Sequence, residues 1–335
     1  MSINIAINGF GRIGRNALKI ALTKPMLNIA SVNDLTDPAT LAHLLSYDTN
    51  YGKYDANIGV EGDNLVVDGH KIKVHAEKDP KALPWKKENV DIVLECTGRF
   101  TDPKDAHAHI SAGAKRVIIS APAKGDGAVT LVMGVNDNKY NKEEIISNAS
   151  CTTNCITPVA QIIVSEFGVK KAMMTTIHSY TADQNLQDGP HKDLRRARSA
   201  GMNIVPTSTG AASAAHQVVP ELKGLFDGLA IRVPTSVVSL ADFTFLLKKK
   251  TTVKQVNEVF KKAVDKMKRY EGILSYTEEP LVSSDFIGSH FSSIVDLSLT
   301  QVVDGDLVKV VAWYDNEWGY ANRLVEEAVL VGQKL

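Results

Sequence analysis

Only three cysteines, Cys96, Cys151 and Cys155, occur in 335 residues, too few and too odd a number for a disulfide framework. Cys151 and Cys155 stand four apart with no second ligand pair nearby, which argues against a zinc site, and no metal is expected. An excess of charge is lacking too: Lys plus Arg and Asp plus Glu each number 38. Such a chain has no global field to favour nucleic acid or an anionic membrane, so neither is expected as its main partner. Any anion that it binds must be held by local groups. Long apolar runs are missing: Ile92 to Leu94, or the interrupted run Val237 to Leu247, falls well short of a membrane span. From Met1 to Ile7 there is no basic stretch followed by an apolar core and cleavage site. No signal peptide is expected, and a soluble, cytoplasmic protein is. We find no repeat and no low-complexity tract.

What is present is a globular composition, 44% hydrophobic and 23% charged, in a chain long enough for two domains. Up to about residue 150, short apolar runs alternate with helix-compatible segments, which predicts a parallel sheet covered on both faces. The expected strands are Ile3 to Ile7, Ile29 to Asn33, Ile72 to His75, Asp91 to Glu95, Arg116 to Ser120 and Leu131 to Val135. From Cys151 the texture changes. A long amphipathic helix is expected to Phe167, with Ile156, Val159 or Ala160, Ile163 and Phe167 on one face, a kink at Pro158 and a stop at Gly168. Later segments read as antiparallel: Val237 to Leu247, then Ser293 to Leu299 and Leu307 to Tyr314 flanking the turn Asp304-Gly305-Asp306. Thr252 to Met267 reads as a helix with Val253, Val256, Phe260, Val264 and Met267 on one face. The charged stretch Thr181 to Asn203 reads as a long ordered, functional loop. The expectation is an α/β protein. A Rossmann-type doubly wound cofactor domain spans 1–150, an α+β catalytic domain with a largely antiparallel sheet spans 151–315, and a final helix in 316–335 packs back on the first domain.

The strand Ile3 to Ile7 leads into Gly9-Phe10-Gly11-Arg12-Ile13-Gly14 and a helix-like run, Arg15 to Leu22. In such a turn the first glycine permits the sharp bend, the second lets backbone approach a pyrophosphate, and the third allows close helix-to-strand packing. The helix N-terminus then faces the phosphates. A lone glycine pattern is often an ordinary turn. Here Asp34 stands about twenty residues on at the end of the second strand, where a carboxylate can accept from both ribose hydroxyls and repel a 2′-phosphate. NAD is therefore expected rather than NADP.

Ser150-Cys151-Thr152-Thr153-Asn154-Cys155 opens the long helix. Ser150 is the expected N-cap, which puts Cys151 beside unpaired backbone N–H groups, where the positive helix end favours the reactive thiolate. Cys155, one turn deeper, is expected to pack, as a single cysteine commonly does. Met173 to Ile177 reads as a strand that delivers His178, a base able to pair with the thiolate and shuttle a proton. A histidine at a strand end is often structural, and His43, His107, His109, His191 and His216 are left as surface or packing residues.

These segments, with His178-Ser179-Tyr180-Thr181, Leu194-Arg195-Arg196-Ala197-Arg198, Thr209-Gly210-Ala211-Ala212, Arg232-Val233-Pro234-Thr235 and Trp313-Tyr314-Asp315-Asn316-Glu317-Trp318-Gly319-Tyr320, resemble the phosphorylating glyceraldehyde-3-phosphate dehydrogenase family. The likeness runs in order over essentially the whole chain. It implies Cys151 as nucleophile and His178 as the acid/base. It implies Arg12, Ile13, Asp34, Lys78, Ser120 and Asn316 as NAD contacts, with Asn316 orienting the nicotinamide amide. Lys78 stands where some members have Arg. Thr181 and Arg232 are similar to the pocket for the substrate's own phosphate, and Ser150, Thr152, Arg196, Thr209 and Gly210 to the set around the attacking inorganic phosphate. A homotetramer is implied as well. Two anions beside one thiol require Arg side chains, hydroxyls and N–H groups to converge locally. Arg195, Arg196 and Arg198 could instead form a nucleic-acid patch, but Asp183, Asp188 and Asp193 argue for an internally paired loop.

The resemblance implies oxidation of D-glyceraldehyde 3-phosphate to 1,3-bisphosphoglycerate through a Cys151 hemithioacetal and thioester. Erythrose-4-phosphate dehydrogenase is the nearest alternative, against which Thr181 and Thr209-Gly210 speak. A thiol hydrolase or acyltransferase using Cys151 and His178 is disfavoured by the glycine turn with Asp34. A binding protein with a vestigial pocket is disfavoured by the intact set Cys151, His178, Arg232 and Asn316.

Overall fold

The computed structural model describes residues 2–335. It divides into two compact units: the chain up to Leu131 with Asp137–Ala149 and Ala321–Leu335, and Val132–Asn136 with Ser150–Tyr320. Among the described residues no helix is long and apolar enough to cross a membrane.

The first unit is built on a nine-stranded sheet. Its order is Val129–Thr130, Ile145–Ser147, Arg116–Ile119, Ile92–Glu95, Ile3–Asn8, Leu27–Asn33, His70–His75, Asn64–Val67 and Ile58–Glu61. The first seven strands run parallel. Central strands of such a sheet are covered on both faces and so are apolar throughout: Ile5, Ala6, Ile7, Ile92, Val93 and Leu94 are all fully buried. From Ile3–Asn8 the chain steps to Leu27–Asn33 on one side and later returns as Ile92–Glu95 on the other. Strand order therefore reverses at the C-terminal end of Ile3–Asn8, the place where open α/β sheets bind ligands. The crossover helices Pro38–Ser46 and Pro103–Ser111 start on Asp37 and Asp102, which accept from Thr40 N–H and Lys104 N–H, each followed by proline in the first turn.

Two sequence expectations change here. The last two strands, Asn64–Val67 and Ile58–Glu61, are an antiparallel extension that was not foreseen. Leu131 to Val135 is not a strand; the edge is Val129–Thr130, beside Ile145–Ser147. Leu131 and Val132 are fully buried, so the apolar run reports burial rather than extension. Asn136 accepts from Val132 N–H at 2.7 Å, and Gly134 turns at φ 77°, where a Cβ would stand 2.7 Å from the Arg269 carbonyl oxygen.

The second unit carries an eight-stranded sheet in the order Val205–Thr207, Phe226–Val233, Val169–Ser179, Ser239–Leu247, Leu307–Tyr314, Ser293–Asp296 and Leu274–Thr277, with Gln301–Val303 also on Leu307–Tyr314. Pairing is antiparallel except between Val169–Ser179 and Phe226–Val233 and between Leu274–Thr277 and Ser293–Asp296. Ser239–Leu247 alternates strictly, burying Ser239, Ala241, Phe243, Phe245 and Leu247, as a strand with one face in the core must. The turn Asp304-Gly305 has positive φ at both positions, the geometry of a two-residue hairpin. Its first arm is Gln301–Val303, because Ser293–Asp296 ends in a 3-10 turn at Leu297–Leu299.

Three helices pack on this sheet or on one another. Cys151–Phe167 runs unbroken through Pro158 to Gly168 and is buried on nearly all sides rather than along a single stripe. Val253–Lys266 starts with a capping box between Thr252 and Gln255 and buries Val256, Phe260 and Ala263, while Val253 is 40% exposed. Ala211–Val218 begins at Gly210.

Candidate active site

In the first unit the glycine turn closes over the sheet's switch point. Gly9 has φ 93°, and a Cβ there would lie 2.7 Å from Thr97 N; a Cβ on Gly14 would lie 2.1 Å from the Gly9 carbonyl oxygen. Both positions therefore exclude any side chain, whereas Gly11 faces open space. Beside the turn is a cavity of about 310 Å³ whose lining includes Asn8, Gly9, Gly11, Asp34, Lys78 and Thr97. Arg12, Ile13, Gly14 and Ser120 lie outside that lining. Arg12 pairs with Asp48 at 2.5 Å and stacks over Tyr51, and Ser120 donates its N–H to the Glu95 carbonyl at 3.0 Å. Asp34 accepts from Phe10 N–H at 2.8 Å through one oxygen and from Thr36 N–H at 3.0 Å through the other. Its carboxylate thus ties the second strand to the turn and keeps further lone pairs for a ligand.

In the second unit, Ser150 accepts from Thr153 N–H at 3.0 Å and caps the helix, which sets Cys151 in its first turn. Cys151 Sγ lies 3.5 Å from His178 Nε2. His178 Nδ1 is 2.6 Å from the Ser179 carbonyl oxygen, an acceptor only, so the ring proton sits on Nδ1 and the Nε2 lone pair faces the sulfur. Tyr314 meets the imidazole edge to face at 6.0 Å and hydrogen-bonds Thr152 and Thr176 at 3.0 and 2.8 Å. The Thr152 hydroxyl thus meets Tyr314, and the Ser150 hydroxyl meets the first turn of the helix.

Burial pushes the Cys151 thiol up, against the pull of the Arg232 charge and of bonds from Thr152. Burial, then Arg232, push the His178 imidazole down to about 3. Desolvation thus favours a neutral thiol and imidazole at rest over the ion pair expected from the sequence, while Arg232 and the helix N-terminus favour the sulfur anion. Cys155 is fully buried on Ser293 and its thiol is pushed up to about 12, so it stays a packing group.

Arg232 stands opposite His178 in the parallel ladder of Val169–Ser179 and Phe226–Val233. Its Nη1 donates to the Thr181 hydroxyl at 2.8 Å and to the Ser179 carbonyl at 3.2 Å, but its Nε is buried with no protein acceptor. A buried donor without a partner is costly, and here it points to an anion that the chain itself does not supply. Thr181 also donates to Asp183, which pairs with Arg196 at 2.5 Å. Arg196 reaches Thr207 at 3.0 Å and the Ser208 carbonyl at 3.2 Å. Arg232, Thr181, Asp183 and Arg196 thus form one network. The Thr209 hydroxyl accepts from Ala211 N–H at 3.2 Å at the start of the next helix, whose N-cap is Gly210. The loop's acids pair with its arginines as expected: Asp188 holds Arg198 at 2.7 Å and Asp193 lies 3.6 Å from Arg196, while Asp193 also accepts from Thr207 on the following strand at 2.5 Å.

Asn316 is buried, and its Oδ1 accepts from the Ser239 hydroxyl at 2.9 Å. Ser239 in turn accepts from Ser179 N–H at 3.1 Å, so the residue after His178 and the Asn316 amide share one anchor, and the Asn316 NH2 is oriented to donate elsewhere. Val238, a β-branched residue, is held at φ 70° with its carbonyl on the Ser179 hydroxyl at 2.6 Å. Such strain is tolerated where surrounding structure over-determines it, commonly at functional sites. Ser239, Val238 and the contacts of Tyr314 were not legible beforehand, since each acts across many residues of sequence.

A glycine turn beside a cavity in one unit and a buried Cys151–His178 pair in the other are the features that a dinucleotide-dependent dehydrogenase with a cysteine nucleophile would need. Residues 3–103 match the family model described as glyceraldehyde 3-phosphate dehydrogenase, NAD binding domain, and residues 150–316 that described as its C-terminal domain. The chain is 54% identical to the glyceraldehyde-3-phosphate dehydrogenase of Geobacillus stearothermophilus over 100% of this chain and 99% of that protein. It is 53% identical to glyceraldehyde-3-phosphate dehydrogenase 1 of Bacillus subtilis (strain 168), with the same coverage. It is also 53% identical to the glyceraldehyde-3-phosphate dehydrogenase of Mycobacterium bovis (strain BCG / Pasteur 1173P2) over 100% of both. The chain belongs to the glyceraldehyde-3-phosphate dehydrogenase family, and NAD is its cofactor.

Proposed function

We propose that this protein oxidises D-glyceraldehyde 3-phosphate with NAD and inorganic phosphate to 1,3-bisphosphoglycerate, with Cys151 as nucleophile. The observation that carries the reading is the 3.5 Å approach of Cys151 Sγ to a His178 nitrogen whose lone pair faces it. The names of the relatives favour this substrate over erythrose 4-phosphate. The cavity with Gly9, Gly11, Asp34 and Lys78 fits a dinucleotide, and we assign Arg12, Ile13, Gly14 and Ser120 to the same ligand; Asn316 is proposed as a cofactor contact on the family resemblance alone. When bound, NAD supplies the hydride acceptor.

Cys151 sulfur bonds to the aldehyde carbon while His178 Nε2 takes the thiol proton and passes it to the new alkoxide, giving a hemithioacetal. His178 takes that hydroxyl proton back as the carbon is oxidised to the thioester. A phosphate oxygen then bonds to the acyl carbon as the acyl C–S bond breaks, and the Cys151 thiolate that leaves takes its proton back from His178 Nε2. Arg232 with Thr181 is assigned the substrate phosphate, and Arg196, Ser150, Thr152, Thr209 and Gly210 the surroundings of the attacking phosphate. Cys151→Ser is expected to abolish phosphate-dependent NADH formation, because a serine hydroxyl attacks poorly near neutral pH and its ester resists phosphate. Full activity in that variant would overturn the assignment.

A cofactor domain over 1–150, a catalytic domain over 151–315 and a terminal helix in 316–335 belong to the same proposal, as does a cytoplasmic location. So does a homotetramer, supported by the exposed apolar side chains Leu186, Leu194, Met202 and Ile204 on or beside the 181–203 loop. Sedimentation velocity reads the assembly state directly.

A further inference from the structure

We propose that a buried chain of hydrogen bonds, Trp85 to His109 to Glu95, positions the cofactor turn through Asn8 and Thr97 without itself touching the ligand. This rests on the reading that the cavity beside Gly9 holds NAD. Asn8, Asn33 and Glu95 end three adjacent parallel strands and face one another in register, Asn8 opposite both Asn33 and Glu95. They therefore stand side by side at the switch point of the sheet. His109 comes from the helix Pro103–Ser111, and Trp85, His109 and Glu95 are at most 1% exposed.

The proton positions follow from what each group can do. An indole N–H only donates, so Trp85 Nε1, 3.0 Å from His109 Nδ1, makes that nitrogen the acceptor. The imidazole proton then sits on Nε2 and is given to Glu95 Oε2 at 3.0 Å. Asn8 Nδ2 donates to the same oxygen at 2.5 Å. The other oxygen takes Thr97 N–H at 2.8 Å and the Thr97 hydroxyl. Four donors thus converge on one buried carboxylate with no Lys or Arg among its partners. Asn8 Oδ1 in turn accepts from Asn33 Nδ2 at 2.7 Å, and Asn33 Oδ1 from Glu77 N–H at 2.9 Å.

Every outer member of this network is a wall of the cavity: Asn8, Asn33, Glu77 and Thr97 line it, whereas Trp85, His109 and Glu95 do not. The glycine turn itself rests on the 96–97 backbone, since a Cβ on Gly9 would stand 2.7 Å from Thr97 N and 2.8 Å from the Cys96 carbonyl carbon. That Thr97 N–H is the one Glu95 holds. Loss of a donor to Glu95 Oε2 would let the carboxylate tilt, and Thr97 and Asn8 would shift together with the seat of the turn. Loss of a buried network that only stabilised the sheet would lower the melting temperature and leave affinity for NAD alone.

The test compares His109→Leu, which removes both bonds, with His109→Gln, whose amide NH2 can still donate to Glu95. Trp85→Phe keeps an aromatic ring at this buried position but loses the indole N–H, and with it the bond that sets the tautomer. For His109→Leu we expect NAD Kd and KM to rise about tenfold, with kcat at saturating NAD and KM for the triose phosphate within about twofold of the parent. His109→Gln recovers most of the affinity, and Trp85→Phe raises KM for NAD about threefold. Should His109→Leu not fold, the other two variants carry the comparison. Asp34→Asn is the control for the site: if it weakens NAD while His109→Leu and Trp85→Phe lower only the melting temperature, the positioning role is overturned. If Asp34→Asn leaves NAD binding untouched, the cavity is not the NAD site and the inference falls with that reading.

Discussion

Replacing Asp34 by Asn tests the cofactor preference at its physical source. One Asp34 oxygen already accepts from Phe10 N–H at 2.8 Å and the other from Thr36 N–H at 3.0 Å. Asn retains one of those acceptors but turns an NH2 toward the other donor or toward the ribose diol. Charge-assisted bonds are worth roughly twice neutral ones, so converting two ribose contacts costs about 2–3 kcal/mol, or roughly 30- to 150-fold in NAD Kd. Removing the negative charge also relieves a 2′-phosphate of about 1–2 kcal/mol of repulsion at ~5 Å in water. Together the NAD-over-NADP preference should fall on the order of a hundredfold or more. Asp34→Ala should lower NAD affinity further, because it leaves the Phe10 amide without its acceptor. Isothermal titration with each nucleotide measures both constants, and kcat at saturating NAD should stay within about threefold. An unchanged NAD/NADP ratio in Asp34→Asn would refute the reasoning.

Three further outcomes follow from the geometry. Gly14→Ala puts a Cβ 2.1 Å from the Gly9 carbonyl oxygen; the turn must open, and calorimetry should show a loss of at least about 2 kcal/mol of stability with NAD binding impaired. Arg232→Leu removes a charge that pulls the Cys151 thiol down, so Cys151 alkylation by iodoacetamide at pH 7 should slow and its pH profile move to higher pH; an unmoved profile would contradict that coupling. Between about 6.5 and about 3 the unfolded chain binds a proton at His178 that the folded chain refuses. Stability is therefore highest above 6.5 for this group and falls by up to about 1.4 kcal/mol per pH unit through that window. His178→Asn should flatten that part of the stability profile in urea titrations, and an identical slope would count against the buried neutral imidazole.

The parts of the molecule that were legible in sequence are those governed by local rules. Gly9 and Gly14 announce a turn because no other residue tolerates a Cβ there, and Ser150 and Gly168 bound a helix because a cap and a stop are chemical requirements of its ends. Asp183, Asp188 and Asp193 were legible as partners of the Arg cluster since all lie in the same loop as the arginines. What failed was either ambiguous or long-range. Leu131 to Val135 is apolar because Leu131 and Val132 are buried, and hydrophobicity alone does not separate a buried turn from a strand. Asn64–Val67 and Ile58–Glu61 pair only with each other and with the strand His70–His75 at the sheet edge. The hydroxyl of Tyr314 meets Thr176 across 138 residues of chain, and Ser239 meets Asn316 across 77. No local pattern carries such contacts. His109, which the sequence offers only as a surface or packing residue, is fully buried with both ring nitrogens hydrogen-bonded.

The central claim is that oxidation passes through an acyl group on Cys151. Incubating the protein with NAD and glyceraldehyde 3-phosphate, phosphate omitted, followed by acid quench and peptide mass spectrometry, should find one phosphoglyceryl group per chain on the peptide that bears Cys151. Adding inorganic phosphate before the quench should remove it. NADH formed in a single turnover with no acyl group on that cysteine, or with the group on another residue, would contradict the account.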